Sequence, residues 1–261
     1  MQRLANRAKA GCPELTPLPS DAGIVLLQSD FMRFIAFLAF LSFTTPAAAF
    51  EPTENYSRRE IRGFTILVNP EVEKHPDEAK AAFAELDNQL AKLCKVVPKK
   101  PLAALRKVRF WVEWEAKKNG AAEFHTSLGW LKNNGYNPEK VRCVEINNVR
   151  NFVAWSRKTQ PWMVLHELAH AYHFTVLGDN YSGLHAAYTQ AIERKLYESV
   201  QFVHGGKRKA YAATSAAEYF AELSEAYFGK NDFFPFTRED LEKHDRVGYE
   251  MVKKAWSERA K

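Results

Sequence analysis

The residues best suited to do chemistry are two histidines and a glutamate in the string HELAH, residues 166–170. On a helix, His166 and His170 lie one turn apart, so both imidazoles project from one face and can reach a single metal ion. Glu167 follows the first histidine, where its carboxylate can act as general base on a metal-bound water. This spacing predicts a hydrolytic zinc site. The alternative is a pair of histidines that simply pair with carboxylates.

The residues around this string are apolar and lack glycine and proline, which indicates a buried helix. We expect that helix to run from about Pro161 to Leu177, because proline suits a first helical turn and Gly178 suits a C-terminal cap.

A catalytic site needs a third ligand, and one class of metallopeptidase can be excluded from the residues after HELAH. Metzincins would place glycine at 173 and histidine at 176, where this chain has His173 and Val176. His173 lies about 10.5 Å along the helix axis from His166, too far to share one ion. We therefore predict that His173 flanks the site or faces the substrate.

A glutamate on a later helix is the other common third ligand. Residues 211–229, YAATSAAEYFAELSEAYFG, place Glu218, Glu222 and Glu225 at positions i, i+4 and i+7. Carboxylates on an otherwise apolar helix need a cation or solvent. Glu218 is the leading candidate for the third ligand, and Glu193 is a minor one.

Each candidate also has a simpler explanation. Glu218 fits a capping box with Ser215. Glu222 and Glu225 could form a solvated helix face, and Tyr211 could be an ordinary loop tyrosine.

The combination of HELAH, Tyr211 and, seven residues later, Glu218 in EYFAE resembles the gluzincin metallopeptidases related to anthrax lethal factor. This resemblance covers about residues 160–229. It implies one Zn²⁺ per chain and a role for each matched residue: His166, His170 and Glu218 as zinc ligands, Glu167 as general base, Tyr211 as donor to the developing oxyanion, and Glu222 as the partner that holds a ligand imidazole.

The resemblance also implies an edge strand beside the cleft that binds the substrate backbone. Two segments are candidates for this strand, AAEFH (121–125) and CVEINNV (143–149).

The strands and helices predicted around these groups indicate an α+β fold. We expect a small mixed sheet followed by a mainly helical half that carries a zincin-type active-site helix. Strands are expected at FTILVNP (64–70), VRFWVEW (108–114) and CVEINNV, with the sheet covered on one face. Helical spacing of apolar residues predicts helices over about 79–97, 185–202 and 215–229, and from Thr237, where Thr237 and Asp240 resemble a capping box.

The N-terminus predicts export. Residues 32–49 show a basic start, an apolar run and a stretch of small residues, the order of a signal peptide that begins at Met32 and is cleaved near Ala49. Residues 1–31 have no pattern and are interpreted as a mis-assigned extension; the alternative is a long n-region or an uncleaved anchor. One domain, residues 50–261, would remain as the zinc metallopeptidase, secreted or periplasmic.

The charge and composition of the chain limit the classes of partner that it is expected to bind. The net charge of +6 over 261 residues is spread along the chain, and no nucleic-acid-binding motif is present. We expect a monomer that acts on a peptide or protein, without stable membrane insertion after the signal is removed. Cys94 and Cys143 are either a disulfide or two core thiols, and the sequence leaves both open.

The leading hypothesis is therefore a zinc-dependent endopeptidase. The competing hypothesis, from another class of protein, is a catalytically inactive zinc-binding module that uses the same cleft to hold peptides or cell-wall material.

Overall fold

A five-stranded mixed sheet forms the first half of the chain in the computed structural model, which describes residues 50–257. Its strands are β1 (Ser57–Ile61), β2 (Phe64–Val68), β3 (Phe110–Val112), β4 (Glu123–Phe124) and β5 (Val144–Ile146). They lie in the order β1-β2-β3-β5-β4, with β2, β3 and β5 parallel and both outer strands antiparallel to their neighbours. The expected signal peptide and extension lie outside the described residues.

Helices dominate the second half, which confirms the predicted α+β class. The first half contributes α1 (Pro70–Glu73), α2 (Pro76–Val96), α3 (Lys99–Leu105), α4 (Leu128–Asn133) and α5 (Val149–Lys158). The second contributes α6 (Met163–Tyr172), α7 (Ser182–Glu193), α8 (Ala216–Phe228), α9 (Arg238–His244) and α10 (Arg246–Ser257), besides a small hairpin of β6 (Val200–Gln201) and β7 (Lys207–Arg208). The capping box of Thr237 and Asp240 is confirmed at the start of α9.

The predicted helix over 185–202 is wrong in its second half. Helix α7 ends at Glu193, Lys195 adopts a left-handed backbone with φ of 54°, and the amide of Leu196 closes the helix on the carbonyl of Ala191. Beyond it the chain forms the β6–β7 hairpin, whose turn contains Gly205 and Gly206 at positive φ. This pair of glycines is a turn signal in the sequence, but it lies just beyond the predicted helix.

The sheet is covered on both faces, whereas the sequence predicted cover on one face only. Alternate strand residues such as Ile66 and Phe110 pack into the main core against the helices. The opposite face buries Leu67 and Trp111 in a second cluster, together with Tyr56 and Cys143. Cys94 instead packs against the main core, so the two cysteines belong to different clusters and both are free thiols.

A buried network of charges lies on this second face. The Lys140 ammonium is 2.8 Å from Glu113 Oε1 and 2.5 Å from Glu145 Oε1, and His125 Nε2 is 2.5 Å from the other oxygen of Glu145. Burial raises the pKa of Glu145, but His125 and Lys140 outweigh that effect and the net shift is downward. The stabilisation from this carboxylate is therefore present at neutral pH and is lost as the pH falls through its folded-state pKa.

Replacing Lys140 by Met is expected to lower the free energy of unfolding by about 3–5 kcal/mol, because two buried carboxylates lose their cation. Urea denaturation followed by circular dichroism measures this. Lys74→Met, which removes an exposed lysine paired with Glu71, should leave the midpoint nearly unchanged. Equal effects of the two substitutions would contradict a special role for the buried network.

Helix α6 is held at its start by a residue far away in sequence. Trp162, at its N-cap position, offers no side-chain cap. The side chain of buried Gln89 on α2 supplies it instead: Gln89 Oε1 accepts from the Val164 amide at 2.9 Å, while Gln89 Nε2 donates to Glu85 and Ser156. Because the first amides of a helix have no partner within it, this contact ties the orientation of α6 to α2.

Candidate metal centre

Three side chains predicted as ligands converge where α6 packs against α8. His166 and His170 lie one turn apart on α6, and Glu218 lies in the first turn of α8. Glu218 Oε2 is 3.0 Å from His166 Nε2 and 3.3 Å from His170 Nε2. The three atoms lie within 4.8 Å of one another, close enough to hold a metal ion together.

The spacing of these atoms suits a small tetrahedral ion. Bonds of about 2.0–2.1 Å at tetrahedral angles separate neighbouring ligand atoms by about 3.3 Å. The two distances from Glu218 Oε2 are near that value. The Ser215 hydroxyl accepts from the Glu218 amide at 3.1 Å, so the expected cap is present and holds the start of α8 while the Glu218 side chain turns toward the histidines.

His166 and Glu218 shift each other's pKa in opposite directions. Burial lowers the pKa of His166, but hydrogen bonds with Glu218 and Glu225 outweigh it and raise the pKa well above its usual value. Burial raises the pKa of Glu218, but His166 and His170 outweigh that effect and lower it. A metal ion must displace the proton on His166, so its affinity is expected to weaken at low pH.

The carboxylate that contacts the second nitrogen of His166 is Glu225. Glu225 Oε1 lies 2.7 Å from His166 Nδ1, whereas Glu222 Oε2 accepts from Asn231 Nδ2 at 2.9 Å. Glu222, which the resemblance gives as the partner of a ligand imidazole, lies close to His166 and Glu225 but has its hydrogen bond with Asn231. Both carboxylates lie on one stripe of α8, and only the packing of α8 on α6 selects between them.

Glu167 lies beside the histidines and faces a cavity of about 730 Å³. The pKa of the Glu167 carboxyl is raised, because burial outweighs the lowering effects of His166, His170 and the nearby Phe124 backbone. Phe124 belongs to β4, the outermost strand on this side of the sheet. Of the two candidate edge strands, AAEFH therefore lies at the edge beside Glu167, while CVEINNV contributes the internal strand β5.

Tyr211 lines the same cavity, in the turn Tyr211–Ala213 that precedes α8. It is half exposed, and its ring centroid is 6.4 Å from that of His166. Burial and the charge of Glu218 raise the pKa of the phenol, so it keeps its proton at neutral pH and can donate a hydrogen bond.

His173 does not line this cavity. Its side chain is buried against the rings of Phe174 and Phe220, outside the cavity lining, in a π-helical segment His173–Leu177 that continues α6. Burial lowers the pKa of His173 to about 4, and His170 lowers it as well. The imidazole is therefore neutral.

Two further acidic residues differ in their position relative to the cavity. Glu193 is exposed at the end of α7 and does not line the cavity. Asp232 does line it, although no sequence pattern marks this residue. Burial raises its pKa to about 7, and the charge of Glu225 contributes to the rise. A second group of suitable spacing contains Glu123, His125 and Glu145, but Lys117 and Lys140 already pair with its two carboxylates.

No family model, curated protein or solved structure matches the chain. None of the helices within residues 50–257 is long and apolar enough to cross a membrane.

Proposed function

We propose that this chain is an exported zinc-dependent metallopeptidase that binds one Zn²⁺ through His166, His170 and Glu218. The observation that carries the proposal is the convergence of two imidazole nitrogens and one carboxylate oxygen in the wall of a cavity that also exposes Glu167. Two histidines and one glutamate with a further carboxylate beside them are the donor set of hydrolytic zinc sites. The N-terminal signal pattern supports export.

Each residue has a defined task in peptide hydrolysis. When bound, zinc lowers the pKa of a coordinated water to about 7 and polarises the scissile carbonyl. Glu167 collects the proton of the attacking water and passes it to the leaving amine. Tyr211 donates its phenolic hydrogen to the oxygen of the tetrahedral intermediate. Strand β4, at the sheet edge beside Glu167, offers main-chain groups to an extended substrate.

The proposal is tested by metal analysis and a peptide-library cleavage screen on the purified protein. We expect about one zinc per chain, cleavage of internal peptide bonds, loss of cleavage with a chelator and recovery when zinc is restored. Stoichiometric zinc with no cleavage of any peptide would favour the inactive binding module. A folded protein that takes up no zinc would overturn both.

Replacing Tyr211 by Phe is expected to lower kcat by about 10²–10³-fold, because one donor to the oxyanion is lost while the ring remains. KM and zinc content should stay close to wild type, since the phenol contacts the transition state and does not ligate zinc. Steady-state kinetics on the best library peptide measures the effect. Tyr188→Phe, which removes a hydroxyl that donates to the Ala213 carbonyl on the same turn, is the control. A change confined to KM would contradict the oxyanion role.

A further inference from the structure

Two neighbouring histidines bury nitrogen atoms that have no hydrogen-bond partner in the described part of the chain. They are Nδ1 of His170 and both ring nitrogens of His173. Both residues are at least nine-tenths buried, so bulk water does not satisfy them. Because buried polar groups are nearly always paired, such a concentration of unpaired nitrogens at one place calls for a physical explanation.

The proposed metal site explains why Nδ1 of His170 needs a hydrogen-bond acceptor. An imidazole that ligates through Nε2 carries its hydrogen on Nδ1, and that hydrogen normally goes to an acceptor that fixes the ring. His166 has such an acceptor in Glu225. No side chain in residues 50–257 accepts from His170 Nδ1, so the second ligand lacks the support that the first one has.

His173 lies where it can provide that acceptor, and its ring is neutral. Residues three apart on a helix are neighbours on its surface, so His173 lies one turn beyond His170. Its neutral ring has one nitrogen that donates and one that accepts. Neither ring nitrogen of His173 has a hydrogen-bond partner among the described residues, so in either tautomer one nitrogen remains free to accept.

The two rings do not bond each other directly, so the connection needs a third group. A buried water typically makes about three hydrogen bonds to polar atoms that would otherwise be unsatisfied. The nitrogens of His170 and His173 are two such partners. The rings of Phe174 and Phe220 pack against His173 and carry no polar atom that would compete for a hydrogen bond from this water.

Resting on the proposed zinc site, we infer that His173 is a positioning residue for the metal: through one buried water, it accepts the hydrogen bond of His170 Nδ1–H and holds that ligand in place.

The test is the zinc dissociation constant of the full protein, measured by competition with a chromophoric chelator. His173→Leu should bind zinc about 10–100-fold more weakly, the usual effect of losing an outer partner of a ligand. His173→Gln, which keeps an acceptor, should stay near wild type. His204→Leu, at an exposed histidine of the β6–β7 turn, is the control.

A purely structural role would give a different result. Unfolding of the metal-free proteins should show His173→Leu as stable as wild type or more stable, since it removes buried nitrogens that have no partner. Wild-type zinc affinity in His173→Leu, or equal losses in the Leu and Gln variants, would overturn the inference while leaving the zinc site intact. A high-resolution structure of the zinc-loaded wild type without a water between the rings would do the same. Failure of the wild type to bind zinc would instead overturn the proposed function.

Discussion

Replacing Glu167 by Gln is expected to lower kcat/KM by about 10²–10⁴-fold while the protein keeps one zinc per chain. Glutamine fills the same space but cannot take the proton of the attacking water. The loss corresponds to about 3–5 kcal/mol of transition-state stabilisation. Since the Glu167 carboxyl lies in the cavity wall beside the histidines and is not part of the His166, His170 and Glu218 group, metal binding should survive. Cleavage kinetics and metal analysis on one sample measure both quantities.

The matched control is Glu193→Gln, which makes the same chemical change at an exposed residue outside the cavity. It should leave both activity and zinc content unchanged. Undiminished cleavage by Glu167→Gln would contradict the assignment of the base. Loss of zinc in that variant would show that Glu167 is a ligand and would require the donor set to be revised.

Alanine at His166, His170 or Glu218 should reduce the bound zinc from about one per chain to none after dialysis. Each substitution removes one of three donor atoms that lie within 4.8 Å of one another. The loss should also remove the stabilisation that zinc gives the folded state, which grows with the ratio of free zinc to dissociation constant. Mass spectrometry for metal content and thermal unfolding with and without zinc test the two consequences.

Glutamine substitutions at Glu222 and Glu225, the two remaining carboxylates of the α8 stripe, test which of them holds the His166 imidazole. Glu225→Gln should weaken zinc binding by about 10–100-fold, because Glu225 holds His166 Nδ1. Glu222→Gln should keep zinc near wild-type affinity, because Glu222 bonds Asn231 instead. The reverse ranking would favour Glu222 as the carboxylate that holds a ligand imidazole. Retention of zinc in Glu218→Ala alone would move the third ligand to another carboxylate.

The parts of the fold that could be predicted are those set by short stretches of chain. Apolar periodicity and flanking proline or glycine located α2, α6 and α8, and Ser215 and Thr237 marked two helix starts correctly. Strand β1 is not predictable because its exposed, charged pattern resembles a loop, and β4 remains one of two candidates because it has only two residues. The end of α7 was missed because tertiary contacts and the following hairpin override a helical pattern that is locally acceptable.

By itself, the sequence determined the types of donor groups and their spacing within each helix: two imidazoles one turn apart, a carboxylate beside them, and a stripe of three glutamates. These relations depend only on the 3.6-residue helical repeat. The tertiary structure alone decided which glutamate meets which histidine, that AAEFH is the strand beside Glu167, that Gln89 caps α6, and that His173 turns inward. Those contacts mostly join residues many positions apart in the chain. Even the inward orientation of the His173 side chain depends on its packing against Phe220 of α8. They follow from how α2, α6, α8 and the sheet pack together, which no local pattern specifies.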